Sequence, residues 1–278
     1  MQDAEHRALA GGLLPAVLRA GAVELGYFRN GVAVETKRDD SPVTAADREA
    51  EELITAALAR LRPDIPVIGE EAVSAGITPQ TDGTFFLVDA LDGTRDFISG
   101  RPEFTVNIAL VVDHVPLFGV VYQPPTGRLF MTLAGDCAIE AEIAADAADT
   151  VSLDRLASHR IATRVPDTGD MVVAVSRSHP SSQLDRKLSE LGIERRIEVG
   201  SSLKFCLVAR GEADVYPRLT SISEWDTAAG HAVVSAAGGA VLTLDAAPLL
   251  YGQSSGSHRV APFVAWGRSD VAGRFAFA

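Results

Sequence analysis

The chain is poor in cysteine, with two in 278 residues, Cys137 and Cys206. They sit far apart in apolar company without C-x-x-C spacing, which argues for reduced core thiols over a disulfide. Basic residues are outnumbered: 25 Lys and Arg against 37 Asp and Glu leave a formal net charge of −12. That balance argues against nonspecific nucleic-acid binding, which needs basic patches to neutralise phosphates. A phosphate ligand would need locally supplied positive charge, and metal ions are the natural source. A long uncharged hydrophobic run is missing too. The most apolar stretch, GGLLPAVLRAGAVELGYF, carries Arg19 and Glu24 and keeps helical periodicity, so it reads as an amphipathic helix, not a transmembrane segment. The N-terminal MQDAEHRALAGG lacks the basic-then-apolar order of a signal peptide. Repeats and low-complexity tracts are absent. A cytoplasmic protein is expected, with a peripheral place at the inner membrane face left open.

What is present is an ordinary globular composition, 47% hydrophobic and 22% charged, in a chain long enough for one large domain or two smaller ones. Periodicity predicts a helix over about residues 4–28, stopped by Asn30-Gly31, and a second over ADREAEELITAALARL, ending before Pro63. Short strands are expected at 66–68, 84–88, 104–112, 117–122 and 129–132, the last three antiparallel. From about residue 150 the rhythm changes to alternating strand and helix: MVVAV with SSQLDRKLSEL, RRIEV with SSLKFCLVAR, DVYPR with WDTAAGHAVVSAAGG. The expected division is an α+β part over residues 1–150 and an α/β part over 151–278, a layered α/β arrangement overall.

Several apolar segments end in acids. TFFLVDALDGTRDF carries Asp89 and Asp92, VIGEE carries Glu70 and Glu71, and EWDTAAG carries Asp226 at a helix start. Singly, each has a plain structural reading: an Asp-Gly turn, solvated loop acids, a helix N-cap. Together they form the oxygen-rich ligand set that a hard cation such as Mg²⁺ prefers. The spacing does not fit an EF-hand loop, which takes ligands at alternate positions. Nor does it fit a haloacid-dehalogenase-like site, whose two aspartates are separated by one residue; here two intervene.

IGEE, DALDGT and WDTAAG, in this order, resemble the lithium-sensitive, magnesium-dependent phosphomonoesterases that include the inositol monophosphatases. DDSPVTAAD, EFTVNIAL, GVVY, SRSH, GSSLKFCLVA, YPR and WDTAAGHAV are similar to the bacterial 3'(2'),5'-bisphosphate nucleotidase branch, so the likeness covers roughly residues 35–245. One departure is Ala90, where the family commonly has Pro. It frees a backbone φ angle without removing a ligand.

The resemblance implies a layered αβαβα sandwich and a phosphatase that holds two or three Mg²⁺ ions. The metal ligands would be Glu70, Asp89, the Leu91 carbonyl, Asp92 and Asp226, with Asp89 shared between two ions. Thr94 and Asp47 match the pair that orients the attacking water; without the resemblance Asp47 reads first as a helix cap. Gly93 suits the tight turn beside the substrate. Ser176 and His179 of SRSH, Gly200, Ser201, Ser202 and Lys204 of GSSLKF, and Arg218 of YPR would bind a nucleotide and its second phosphate. The expected reaction is hydrolysis of adenosine 3',5'-bisphosphate to AMP and phosphate, clearing a by-product of sulfate activation. An inositol-phosphate or sugar-phosphate phosphatase is the alternative within the class, and a non-catalytic nucleotide or metal sensor lies outside it. A monomer and a homodimer are both compatible with the sequence.

Overall fold

The computed structural model describes residues 1–31, 33–37, 42–166, 169–253, 256–268, 270 and 277. Helix α1 (Asp3–Asn30) stops at Gly31, whose φ of +80° disfavours a side chain. A short hairpin, β1 (Val34–Thr36) and β2 (Pro42–Thr44), leads into α2 (Ala45–Leu61). Residues 38–41, which include Asp39, Asp40 and Ser41 of the DDSPVTAAD motif, lie outside the described residues. Next come β3 (Val67–Gly69), α3 (Glu70–Ser74), β4 (Phe85–Asp92), α4 (Thr94–Ile98), β5 (Thr105–Val112), β6 (Val115–Gln123), β7 (Arg128–Ala134), β8 (Cys137–Glu142) and β9 (Ser158–Ile161). These seven strands form one sheet in sequential order, parallel only between β3 and β4.

The second half contributes β10 (Val172–Ser176), α5 (Ser182–Glu190), β11 (Arg195–Val199), α6 (Leu203–Ala209), β12 (Val215–Arg218), β13 (Ile222–Ser223), α7 (Trp225–Ala236), β14 (Ala240–Thr243), β15 (Arg259–Val260) and β16 (Phe263–Trp266). Its five-stranded sheet has the order β11-β10-β12-β16-β14. Apolar side chains explain the layering. Leu9, Leu13, Val17 and Leu18 of α1 and Ile54 and Leu58 of α2 pack with Phe86, Val88, Ile108 and Val120 on one face of the large sheet. Phe205 and Val208 of α6 and Ala229 and Val233 of α7 fill the space between the sheets with Phe85, Leu87, Phe130 and Phe263. Leu184 and Leu188 of α5 cover the outer face of the second sheet against Val173, Val215 and Trp266. The result is the αβαβα sandwich expected from the resemblance. By length and composition α1 could span a membrane; in the structure it forms the outer helical layer, and Cys137 and Cys206 are free.

The passage between sheets differs from expectation. Strand β9 pairs with β8 as the last strand of the first sheet, so the crossing falls after Ile161 and not near residue 150. The strand SHRI is polar and exposed at three of four positions, so it carries no apolar pattern to announce it. Likewise β16, which runs antiparallel to both its neighbours β12 and β14, follows β15 with no helix between and so breaks the strand–helix alternation.

One buried group is at odds with its surroundings. Glu24 is fully buried in α1, and neither carboxyl oxygen has a partner among the described residues. Burial, and then the charge of Asp47, push its carboxyl well above the usual range. The folded protein therefore keeps a proton that the unfolded chain gives up near pH 4.3, so stability is lost as pH rises from there. Glu24→Leu is expected to stabilise by about 1–3 kcal/mol at pH 7 and by less at pH 4. Thermal melts at the two pH values check this; a variant less stable at pH 7 would show that the carboxyl is used.

Candidate active site

The DALDGT segment ends β4, the second strand of the first sheet. On a regular strand, residues three apart point to opposite faces. Here Asp89 pairs with Asn107 while Asp92 pairs with Thr105, so three steps on β4 oppose two on β5. This bulge returns both acids to one side, where they line the same cleft with Leu91, Gly93 and Thr94. Gly93 has φ +98°, and a Cβ there would stand 2.8 Å from the Glu103 carbonyl. Both facts demand glycine at the turn into α4. Ala90 is buried within the strand, which forms without the family's Pro.

Glu70 at the start of α3 and Asp226 in the first turn of α7 meet Asp89 across the gap between sheets. Each offers an oxygen within 4.8 Å of the others. Burial, followed by the other carboxylates, drives Asp89 and Asp226 well above the usual carboxylate range. A hydrogen bond between these two side chains partly offsets the repulsion. Such a set of all-oxygen donors, crowded and buried, fits a divalent cation and is costly without one. Asp92 lines the cleft outside this trio, its Oδ2 accepting from Ser201 Oγ at 2.6 Å, Ser202 N at 2.7 Å and Ser202 Oγ at 3.0 Å.

Lys37, which sequence reasoning passed over, reaches Glu70 and Glu71 at 2.6 Å each from the end of β1. Burial alone would lower the pKa of this ammonium, but the two glutamates more than offset that and hold it charged. Burial in turn pushes Glu71 up to about 7 despite Lys37. The only local signal was a lysine in a polar segment, with its partners more than 30 residues away in sequence.

Asp47 makes contacts that fit both readings of its sequence. Its Oδ2 accepts from Thr44 N at 2.7 Å and Thr44 Oγ1 at 2.6 Å, completing the N-terminal capping box of α2. Its Oδ1 accepts from Thr94 Oγ1 at 3.1 Å, and the same hydroxyl lies 3.2 Å from the Leu91 carbonyl. The pair ties α2 to the DALDGT loop.

The second half supplies the opposite wall. Ser176, His179, Lys204 and Arg218 line the cleft as expected, joined by Arg95 and Arg259, which were not singled out from sequence. Arg95 Nη1 lies 3.2 Å from His179 Nε2. Burial, then the charges of Arg218, Arg95 and Lys204, lower the pKa of His179, so the ring is neutral at pH 7 and accepts from Arg95. Lys204 is buried, its Nζ bound to the Ser201 carbonyl and 5.3 Å above the Tyr216 ring, with a pKa drawn down to about 8 by burial and then Arg218.

The GSS segment departs from the expected anion cradle. The Gly200 amide donates to Glu103 Oε2 at 2.7 Å, and Ser202, 2% exposed, gives its amide and hydroxyl to Asp92. These groups hold carboxylates of the first half in place and do not face the cleft; of the three, Ser201 alone lines it. With α6 only seven residues long, its start presents few free amides once Asp92 has taken one. Further cross-links include Ser178 Oγ to Asp96 Oδ2 at 2.6 Å, Thr105 Oγ1 to Ser201 Oγ at 2.6 Å, Asn107 Nδ2 to Ser202 Oγ at 2.9 Å and the Arg177–Glu103 ion pair.

A two-sheet αβαβα sandwich with clustered carboxylates between its halves and cations facing them defines a hydrolase of the phosphatase class. The chain belongs to the inositol monophosphatase family, whose pattern it matches over residues 8–262. It is 41% identical over 223 residues, 78% of this chain and 80% of the relative, to the 3'(2'),5'-bisphosphate nucleotidase CysQ of Salmonella typhimurium. It is also 34% identical to a histidinol-phosphatase of Chlorobaculum parvum, with 80% of each chain covered. The crystal structure of CysQ from Bacteroides thetaiotaomicron superposes with a TM-score of 0.77 at 35% identity, over 94% of this chain and 97% of that one.

Proposed function

We propose that the protein hydrolyses adenosine 3',5'-bisphosphate to AMP and phosphate with Mg²⁺ at its carboxylates. The observation that carries this reading is the two-signed cleft: Glu70, Asp89, Asp92 and Asp226 on one side, and Arg95, Lys204 and Arg218 around a neutral His179 on the other. An ester with a single phosphate needs only the first side. A second phosphate on the same molecule gives the cationic side a partner. The bisphosphate specificity of the CysQ relatives supports the same substrate.

Glu70, Asp89, Leu91, Asp92 and Asp226 are the residues that would hold the metal. Bound there, divalent ions supply Lewis-acid activation of water and charge neutralisation at the phosphoryl group. The chain's own part is orientation. Thr94, aimed by Asp47, offers its hydroxyl oxygen as acceptor to a water proton, since its own proton is committed to Asp47. Ser201 and Ser202 keep Asp92 from rotating. Water adds to phosphorus as the 3'-ester oxygen departs and takes a proton, giving the free 3'-hydroxyl of AMP and inorganic phosphate.

Phosphate release from adenosine 3',5'-bisphosphate, myo-inositol 1-phosphate and histidinol phosphate, each with Mg²⁺ and with EDTA, tests the reading. The bisphosphate is expected to have the highest kcat/KM, and EDTA to abolish turnover. Faster turnover of either monophosphate would reject the substrate assignment, and full activity in EDTA would reject the metal.

A further inference from the structure

The first amides of a helix have no acceptor inside it, and the residue at the N-cap usually supplies one from its side chain. The N-cap of α3 is Gly69, which has no side chain to offer. Glu51 of α2 fills that place from outside. Its Oε2 accepts from Glu71 N at 2.8 Å and its Oε1 from Ala72 N at 2.9 Å, the amides of the second and third residues of α3. We propose that Glu51 is a positioning residue for the metal site, fixing Glu70 by capping α3 from the neighbouring helix. The inference rests on the Mg²⁺ part of the reading above.

The arrangement needs glycine at position 69. A Cβ there would stand 2.5 Å from Glu51 Cδ, so the missing side chain is what lets the carboxylate reach the helix end. The backbone of Gly69, with φ −104° and ψ 148°, is extended and open to any residue. The requirement is therefore one of space. Glu51 itself is buried and lies outside the lining of the cleft, so its influence on the cluster passes through α3.

Helix α3 has little else to hold it. It is five residues long and none of them is fully buried, so length and packing give it little stability of its own. Its first residue is Glu70, whose carboxylate lies within 4.8 Å of those of Asp89 and Asp226 and is repelled by both. The amide of Glu71 belongs to the peptide that follows Glu70, so Glu51 grips the backbone right beside that side chain. Asp47 and Glu51 are four residues apart on α2 and share one face of it. One binds the Thr94 hydroxyl and the other binds α3, so α2 sets the position of Thr94 relative to Glu70.

The test is the Mg²⁺ dependence of wild type, Glu51→Ala and the double variant Glu51→Ala/Gly69→Ser. It is read as the rise in melting temperature with Mg²⁺ in the absence of substrate, and as turnover of adenosine 3',5'-bisphosphate. Serine at 69 gives α3 an oxygen at its own N-cap, in the space left by the carboxylate and without its charge. Glu51→Ala is expected to raise the Mg²⁺ midpoint at least about ten-fold in both readouts, while kcat at saturating Mg²⁺ stays within about three-fold of wild type. The double variant should return the midpoint to within about three-fold of wild type. An unchanged midpoint in Glu51→Ala, a double variant no better than the single one, or a loss of kcat that saturating Mg²⁺ does not restore would overturn the positioning role. Should the alanine variant not fold, Glu51→Gln, which keeps the bulk but turns a donor toward the helix amides, is expected to show the same rise. Failure of both to fold would make Glu51 a structural residue only. If wild type responds to Mg²⁺ in neither readout, the metal reading itself falls. If it responds thermally without hydrolysing the bisphosphate, the substrate assignment falls and melting alone decides the role of Glu51.

Discussion

Asp89→Asn is expected to lower kcat by at least about three orders of magnitude, on the order of 4 kcal/mol at the barrier, while the metal-free protein stays folded. Asp89 is 3% exposed and offers an oxygen within 4.8 Å of both Glu70 and Asp226. An amide keeps its shape and its hydrogen bonding to Leu91 N, 3.0 Å away, but cannot neutralise a divalent ion. The same change removes a charge that burial and three neighbouring acids already oppose. Because the folded carboxyl holds its proton above the ordinary Asp value of about 3.9, wild-type stability without metal declines as pH rises from there. The Asn variant escapes that loss. Its melting temperature in EDTA should equal or exceed that of wild type at pH 7 and should gain less on adding Mg²⁺. Turnover within about ten-fold of wild type, by contrast, would mean that the carboxylate cluster is not where the chemistry occurs.

Asp47 and Thr94 should separate rate from stability. Thr94→Val and Asp47→Ala are each expected to cost at least about 100-fold in kcat, the low end of what proton-handling groups contribute. Their stability effects should diverge. Asp47→Ala leaves the buried Thr44 amide and hydroxyl without an acceptor and removes the cap of α2, a loss of about 1–2 kcal/mol. Thr94→Val touches neither group of the cap, and Thr94→Ser, which restores the hydroxyl, should recover most of the rate. Steady-state kinetics beside denaturant melts distinguish the roles. If Thr94→Val keeps full activity, Asp47 is a helix cap only.

Much of the site was legible because its acids stand where apolar strands or helix starts make them conspicuous. A carboxylate that ends FFLV or opens a buried helix is hard to explain as solvent-facing decoration, and four such positions converged. The cationic wall was legible only in part. Lys204 and Arg218 were recognisable within their motifs, whereas Arg95 and Arg259 carry no local mark, since an exposed arginine after a turn is ordinary. Lys37 was invisible for a simpler reason: nothing near it in sequence pairs with it. The serines of GSSLKF show the converse case. Their position before a helix suggested anion binding, yet the donors turn to Asp92 and Glu103, carboxylates that only the meeting of the two sheets brings within reach.

Helix and strand segments where burial is strong, the acids available to the site and the family could all be read along the chain. Composition, periodicity and motif order are local properties, and they were enough for that. Tertiary structure decided the rest. The bulge in β4 brings Asp89 and Asp92 to one face, a result of its register with β5. The approach of α3, β4 and α7 sets the 4.8 Å cluster. The packing of α2 beside α3 brings Glu51 to amides 20 and 21 residues further along the chain. Each depends on pairing between residues distant in the chain, where the governing quantities are register and burial and no single segment carries them.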